Sequence, residues 1–164
     1  MKNQLNKILI EKFSRQIILK NIGTIGQKKI LSSKVLIVGA GGLGSPAAEF
    51  LSRAGIGTIG IVDNDKVSLS NLHRQSLYLT EDIGKPKIII AKNKINKINK
   101  NVKIKTYKVR LNSINFKKII QNYDYVIDGS DNFKTKFLLN DFCLKYKKNL
   151  VTGAISKFDG HIFT

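Results

Sequence analysis

The sequence is poor in the residues that make disulfides, rigid turns and membrane spans: its 164 residues include one cysteine, two prolines and no tryptophan. A single cysteine, Cys143, excludes a disulfide within the chain and any cysteine-rich metal site. The longest stretch without a charge, residues 35–48, has 14 residues, whereas a membrane-spanning helix needs about 20. The opening MKNQLNKILIEKF mixes charged and apolar residues and lacks the pattern of a secretory or transit signal. We therefore expect a cytoplasmic protein without a membrane partner.

Acidic residues are also scarce, 11 against 29 basic ones, which leaves a formal net charge of +18. Such an excess suggests a nucleic-acid partner. However, 25 of the basic residues are lysines and 4 are arginines, and no aromatic side chains that could stack on bases are interleaved with them. We interpret the lysines as solvated surface with a general attraction to acidic partners. Nucleic-acid binding is the weaker alternative, and we expect no such partner.

Strand and helix patterns alternate along the chain after an amphipathic N-terminal helix. Apolar residues at helical spacing predict this helix over residues 5–18, within an arm of about 3–20, and NIGTIGQ indicates a glycine-rich connector at 21–27. Strands are predicted at residues 34–39, 58–63, 102–109, 123–131 and 149–154, with another beginning within 157–164. Helices are predicted at residues 45–55, 113–121 and 132–147, and within 84–99.

This alternation predicts the fold class. Strands that alternate with helices form a parallel sheet covered on both faces. Right-handed crossovers place the loops at the carboxyl ends of the strands on one side, where such sheets bind ligands. We predict an α/β fold with a Rossmann-like, mostly parallel sheet and helices on both faces, preceded by the N-terminal helix. Residues 1–164 are expected to form a single domain with its core at about 33–164.

A glycine motif lies between the first strand and the next helix. GAGGLG at 39–44 has the form GxGxxG, with Gly39, Gly41 and Gly44 at the fixed positions. Glycines allow a tight turn and a close approach of phosphate, and the helix that follows directs free N–H groups at the anion. Asp63 follows 24 residues after Gly39 at the end of the second strand, where an acid can hold a ribose. The combination predicts nucleotide binding without identifying the nucleotide.

Three further side chains favour a triphosphate over a redox dinucleotide. Arg74 follows Asp63 in the same loop, Lys87 begins a helix opened by Pro86, and Asp131 ends another predicted strand. A triphosphate needs cations for its charge and a carboxylate for its magnesium ion, whereas a dinucleotide is held largely by backbone. Each residue also has a structural alternative: loop surface for Arg74 and Asn71, one exposed lysine among 25 for Lys87, and a helix cap for Asp131.

The chain resembles the ThiF/MoeB/HesA family, bacterial relatives of the ubiquitin-activating enzymes. The resemblance rests on FSRQIIL, VLIVGAGGLGSPAA, AGIGTIGIVDNDKVSLSNLHRQ, DIGKPK, VIDGSDN and VTGAI. It implies an ATP-dependent adenylyltransferase acting on a small ubiquitin-like sulfur carrier, ThiS-like or MoaD-like. The Gly-Gly carboxylate of the carrier would attack the α-phosphate of ATP, giving an acyl-adenylate and pyrophosphate for thiamine or molybdopterin sulfur incorporation.

The resemblance also implies roles for individual residues. Asp63 would hold the ribose, and Gly42 would lie against the nucleotide. The phosphates would be bound by a set of side chains in and after the polar loop: Asn71, Arg74 and Lys87. Gln75 would support that loop and Asp131 would bind Mg²⁺. Arg15 would reach into the site of a partner subunit, which implies a homodimer.

Family members usually continue beyond the length of this chain into a part with two Cys-x-x-Cys pairs for structural zinc. These 164 residues contain no such ligands, so the resemblance predicts a core that is C-terminally incomplete. Three functions therefore remain open: an active adenylyltransferase, a nucleotide-binding but catalytically incomplete fragment or partner subunit, and an NAD(P)-dependent oxidoreductase as the weakest.

Overall fold

A computed structural model describes residues 5–164 of the protein. The strands of this part are β1 (Lys34–Val38), β2 (Thr58–Val62), β3 (Lys103–Tyr107), β4 (Tyr125–Asp128), β5 (Asn149–Ser156) and β6 (Asp159–Phe163). They form one sheet in the order β3-β2-β1-β4-β5-β6. All neighbours are parallel except β6, which runs antiparallel to β5. The predicted α/β fold with a mostly parallel, Rossmann-like sheet is confirmed.

The helices lie on both faces of this sheet. They are α1 (Lys7–Lys12), α2 (Ser14–Ile17), α3 (Gly23–Ser32), α4 (Gly44–Ala54), α5 (Lys87–Ile98), α6 (Ser113–Ile120) and α7 (Phe133–Lys145). One apolar cluster joins the sheet to α4 and α5, and a second joins it to α6 and α7. No helix within residues 5–164 has the length and apolar character needed to cross a bilayer.

Strand β1 shows why the sheet is covered twice. Val35 and Ile37 belong to the first apolar cluster, and Leu36 and Val38 belong to the second. Successive side chains of a strand point to opposite faces, so a strand buried on both faces must be apolar at every position. The run of apolar residues in β1 therefore places the glycine motif at the carboxyl end of a central strand.

The N-terminal arm differs from the sequence prediction. The predicted helix at 5–18 is two short helices, α1 and α2, separated at Phe13, and residues 3–4 of the predicted arm lie outside the described residues. Phe13 is 2% exposed because its ring packs on Gly55, where a Cβ would lie 2.5 Å from the ring. The connector predicted at 21–27 is also wrong, because α3 begins at Gly23. Contacts with α4 outweigh the low helix propensity of glycine in this segment.

Gln27 is the polar side chain that fixes this arm. It is fully buried, accepts a hydrogen bond from Gln16 Nε2 at 2.8 Å and donates one to the Ala54 carbonyl oxygen at 3.1 Å. Replacing Gln27 by alanine leaves buried polar groups without partners and opens a cavity, so we expect the free energy of unfolding to fall by about 2–4 kcal/mol. Urea titration measures this loss.

The matched control for this substitution is Gln121→Ala, which truncates an exposed glutamine at the end of α6. We expect it to change the free energy of unfolding by less than about 0.5 kcal/mol. Equal effects of the two substitutions would contradict the docking of the arm through Gln27.

Strand β6 forms one edge of the sheet and is exposed along its whole length. Ile162 and Phe163 are 79% and 59% exposed, and Phe158 in the turn before them is fully exposed. Within the described residues, β6 pairs only with β5. Within residues 5–164, β6 is therefore an exposed edge strand that carries the apolar side chains of Ile162 and Phe163.

Candidate active site

The glycine turn, residues 39–44, joins β1 to α4, and three hydrogen bonds to Ala40 fix its shape. The N–H of Ala40 donates to Asp63 Oδ2 at 2.7 Å. Its carbonyl oxygen accepts from Tyr78 Oη at 2.8 Å and from Ser45 Oγ at 2.9 Å. Burial raises the pKa of Tyr78, so its hydroxyl remains protonated and able to donate. The turn is thus held in shape by residues of the chain itself.

Gly44, the last fixed glycine of the motif, packs against the backbone at the start of the turn. A Cβ on Gly44 would stand 1.8 Å from the carbonyl oxygen of Gly39, far inside van der Waals contact. Gly39 itself has φ +87°, and a Cβ there would stand 2.7 Å from the carbonyl oxygen of Gly129. Backbone therefore packs directly on backbone here, which only glycine permits. Gly44 does not line the cleft described next, so its contribution to binding is indirect.

A cleft of about 900 Å³ opens above the turn at the carboxyl ends of the central strands. Most of the residues that the sequence proposes for binding or catalysis line it: Gly39, Gly41, Gly42, Asp63, Asn71, Arg74, Gln75, Lys87 and Asp131. They come from separate loops, as the shared edge of a parallel sheet predicts. The geometry therefore brings the glycine turn, the proposed ribose acid, the two cations and the proposed metal acid to one place.

Two backbone N–H groups hold the carboxylate of Asp63 in this cleft. Its Oδ2 accepts from Ala40, and its Oδ1 accepts from the N–H of Asp65 at 2.7 Å. A carboxylate has about four acceptor positions, so two backbone bonds orient Asp63 and leave capacity for ribose hydroxyls. The sequence predicted the ribose role but not the anchoring of the glycine turn.

Residues of its own loop orient the guanidinium of Arg74 at the cleft. Its guanidinium donates to Asn71 Oδ1 at 2.9 Å and to the Ser70 carbonyl oxygen at 3.2 Å. Among residues 5–164 no carboxylate lies within ion-pair distance of it. Its stem packs against Gly42, where a Cβ would lie 3.4 Å from Cδ. The guanidinium is therefore oriented but not neutralised, as a phosphate ligand requires.

Lys87 is the buried cation of the site. Its side chain is 6% exposed, and its Nζ lies 3.4 Å from Oδ2 of Asp65, whose side chain is 64% exposed. The N–H of Lys87 also donates to the Asp65 carbonyl oxygen at 3.0 Å. Sequence reasoning missed Asp65, although it follows the ribose acid by two positions. A single, solvated partner at this distance leaves much of the charge of Lys87 directed at the cleft.

Gln75 is 3% exposed, and its Oε1 has no hydrogen-bond partner among residues 5–164. Its Nε2 lies beside the glycine turn, where a Cβ on Gly41 would be 3.8 Å away. Buried acceptors without partners are rare in folded proteins. The structure places this acceptor in the wall of the cleft; the support of the binding loop by Gln75 stays a prediction.

Asp131 and Asp128 lie at the end of β4 and have opposite environments. Asp131 is exposed in the cleft and makes no side-chain hydrogen bond or ion pair within the described residues. Asp128 is 1% exposed and accepts hydrogen bonds from Ser130, Thr152 and Lys136. The sequence indicated acids at the end of this strand, but not which one is committed internally. Asp131 is the carboxylate available to a ligand.

Arg15, like Gly44, is a predicted site residue that does not line the cleft. It lies exposed on α2 and is absent from the lining of the cleft. Its predicted role requires the cleft of another copy, so it remains a prediction.

Cys143 is 3% exposed on α7, and burial raises the pKa of its thiol to about 11. The thiol therefore stays protonated at neutral pH. We expect the folded chain to react with a thiol reagent roughly 100-fold or more slowly than the urea-unfolded chain. Between about pH 9 and about pH 11 the unfolded chain loses this proton first, so Cys143 lowers stability as pH rises through that range.

Reaction kinetics with and without urea measure this difference, and Cys143→Ser controls for reaction at other groups. Fast modification of the folded chain at neutral pH would contradict the buried position of the thiol.

The fold and the cleft define a Rossmann-like α/β domain with a glycine turn, cations and a free carboxylate at one edge of the sheet. Residues 13–164 match the ThiF family, and the chain belongs to this family. The resemblance seen in the sequence is thereby confirmed.

Named relatives agree with this assignment. The chain is 45% identical over 153 residues to a sulfur carrier protein adenylyltransferase of Thermus thermophilus, covering 93% of this chain and 56% of the relative. It is 47% identical to a probable molybdopterin-synthase adenylyltransferase of Porphyra purpurea, covering 93% of this chain and 40% of that protein. The chain thus spans about half the length of these curated relatives.

Solved structures show the same fold. The E. coli tRNA N6-threonylcarbamoyladenosine dehydratase TcdA in complex with ATP superposes with a TM-score of 0.85 at 27% identity. The match covers 95% of this chain and 65% of that one.

Proposed function

We propose that the chain acts as an ATP-dependent adenylyltransferase that activates the C-terminal Gly-Gly carboxylate of a ubiquitin-like sulfur carrier. The observation that carries this proposal is the convergence of Arg74, Lys87 and Asp131, from three separate loops, on the cleft above the glycine turn. A hydride-transferring enzyme has no need for two cations and a free carboxylate at this position. The names of the relatives support the same activity.

In the reaction, a carboxylate oxygen of the carrier forms a bond to the α-phosphorus of ATP. The bond from that phosphorus to the bridging oxygen breaks, and pyrophosphate leaves with the electron pair. Arg74 and Lys87 stabilise the negative charge that builds up on the phosphate oxygens, with Asn71 orienting the guanidinium. Asp63 holds the ribose, and Gly42 lets the nucleotide approach the turn.

Magnesium fits the donors present. Within residues 5–164, no three side chains of His, Cys, Asp or Glu form a cluster that could hold a metal ion alone. Mg²⁺ commonly takes one or two carboxylates and completes its shell with substrate phosphates and water, so Asp131 suffices as the protein ligand. When bound, the ion neutralises phosphate charge and aids departure of pyrophosphate.

The proposed activity implies two partners, a carrier protein and a second copy of the chain. The carrier would be ThiS-like or MoaD-like, serving thiamine or molybdopterin sulfur incorporation in the cytoplasm. A homodimer would explain Arg15, whose exposed position on α2 leaves it available to a second copy. The alternative is a nucleotide-binding but catalytically incomplete fragment or partner subunit of such an enzyme. An NAD(P)-dependent oxidoreductase is supported by the glycine motif and by Asp63, which a redox dinucleotide would also use.

Exchange of labelled pyrophosphate into ATP, with a purified carrier ending in Gly-Gly, tests the proposal. We expect exchange by the chain and a loss of about 10²- to 10³-fold in Arg74→Ala, because one charge-stabilising donor is removed. Arg53→Ala is the matched control: Arg53 forms only an exposed ion pair with Glu49 on α4, and its loss should leave exchange unchanged.

The other outcomes separate the alternatives. ATP binding without exchange would support the incomplete chain. Tighter binding of NAD(H) than of ATP would overturn the adenylyltransferase in favour of the oxidoreductase.

A further inference from the structure

Asp128 is buried at the end of β4 with both carboxylate oxygens occupied. Its Oδ1 accepts from the N–H of Ser130 at 2.9 Å and from Ser130 Oγ at 2.6 Å. Its Oδ2 accepts from Lys136 Nζ at 2.9 Å and from Thr152 Oγ1. A carboxylate that is 1% exposed and fully hydrogen-bonded has no capacity left for a substrate. Its contacts are all with the elements around the loop that carries Asp131.

Lys136 joins three elements of the fold through one ammonium group. It lies in α7, pairs with Asp128 at the end of β4, and donates to the carbonyl oxygen of Gly153 in β5 at 2.8 Å. Its side chain is 21% exposed and lines the cleft. The position of α7 relative to the strand ends is therefore set by an ion pair whose lysine lies in the wall of the cleft.

The loop between β4 and α7, residues 129–132, is fixed on both sides of Asp131. Ser130 is tied to Asp128, and Asn132 Oδ1 accepts from the N–H of Thr135 to cap α7. Gly129 packs on the glycine turn, where a Cβ would lie 3.0 Å from the nitrogen of Gly44. Every neighbour of Asp131 is thus anchored while its own carboxylate is unpaired within the described residues.

We infer that Asp128 and Lys136 are positioning residues for Asp131: their ion pair holds the loop at 129–132 at the distance from the glycine turn that a metal-bound triphosphate needs. The inference rests on the proposed function, in which Asp131 is the magnesium ligand. Residues that orient a metal ligand typically affect metal affinity by about 10- to 100-fold when changed. The pair acts through Asp131 and touches no reacting atom.

The competing explanation is that Lys136, as a residue of the cleft wall, binds the ligand directly. The two explanations predict opposite effects of Asp128→Asn. A directly binding lysine, released from its carboxylate, would hold an anionic ligand as well or better. A positioning pair loses its function when either partner is changed, and the double variant Asp128→Asn with Lys136→Met is no worse than each single one.

The experiment measures the affinity of ATP for the full chain with Mg²⁺ and with EDTA. In Lys136→Met and in Asp128→Asn we expect the gain in ATP affinity due to Mg²⁺ to fall by about tenfold or more. The ATP affinity measured in EDTA should change by less than about threefold. Lys136→Arg keeps the donors and should restore the gain. Lys134→Met, an exposed lysine on the same helix, is the matched control and should match wild type.

Hydrogen exchange of the Ser130 amide provides a second measurement that is independent of nucleotide. Its N–H donates to Asp128, so we expect exchange to accelerate by about tenfold or more in Lys136→Met and not in Lys134→Met. An unchanged Mg²⁺ gain and unchanged exchange in Lys136→Met would overturn the inference, as would tighter ATP binding by Asp128→Asn.

The same data separate this inference from the proposed function. If the wild-type chain binds ATP equally with Mg²⁺ and with EDTA, the result contradicts Asp131 as a magnesium ligand and therefore that part of the proposed function. The exchange of the Ser130 amide then still decides whether the ion pair fixes the loop.

Discussion

Gly44→Ala is expected to be the most damaging single-methyl change in the chain. The new Cβ would lie 1.8 Å from the carbonyl oxygen of Gly39 and 2.9 Å from its carbonyl carbon. Both atoms belong to backbone that hydrogen bonds at Ala40 already fix, so the overlap is relieved only by moving the turn or α4. We expect the free energy of unfolding to fall by more than about 4 kcal/mol, in the range reserved for severe core defects. Urea titration measures this change.

Two other glycines provide controls for that substitution. Gly160 lies in the exposed β5–β6 hairpin with nothing within 4 Å of its Cβ position, so Gly160→Ala should leave stability nearly unchanged. A Cβ at position 42 would lie 3.4 Å from the flexible stem of Arg74, so the Gly42→Ala variant should fold. The new methyl group would occupy part of the cleft and should weaken ATP binding. Wild-type stability of Gly44→Ala would contradict the packing described for the turn.

Lys87→Met is expected to separate activity from stability. The side chain is 6% exposed, and Asp65, its one carboxylate partner within residues 5–164, is 3.4 Å away and largely solvated. Burying an ammonium costs free energy that such a partner does not fully offset, so an apolar side chain of similar length should leave stability equal or higher. The same change removes a cation from the phosphate site and should reduce pyrophosphate exchange by about 10²- to 10³-fold.

Lys92→Met is the matched control for this prediction, because Lys92 lies on the same helix and is exposed. It should change neither exchange nor the urea midpoint. Exchange by Lys87→Met within about threefold of wild type would show that the ammonium has no part in the chemistry. A parallel loss of stability and exchange would instead identify Lys87 as a structural residue.

The sequence was most informative where a pattern is local. The apolar run of β1, the glycine motif and the alternation of strands with helices each depend on neighbouring residues, and each predicted the fold correctly. The break at Phe13 and the helix α3 were missed because they depend on contacts with Gly55 and Ala54, which are about 40 and 30 residues away along the chain.

The site shows the same division. The spacing from Gly39 to Asp63 and the shared edge of a parallel sheet placed Arg74, Lys87 and Asp131 near the turn. The pairing of Lys87 with Asp65 and of Asp128 with Lys136 depends on side chains meeting across loops. No periodicity encodes such pairings, so the sequence did not indicate which acidic side chains form internal ion pairs.

The uncovered strand β6 has a practical consequence for handling the chain. An exposed edge strand offers unpaired backbone groups to any other extended segment, and apolar side chains beside them add to the attraction. Phe158, Ile162 and Phe163 provide that combination. Concentrated solutions of this 164-residue chain should therefore favour self-association through strand addition, despite the mutual repulsion of molecules that each carry a charge of +18.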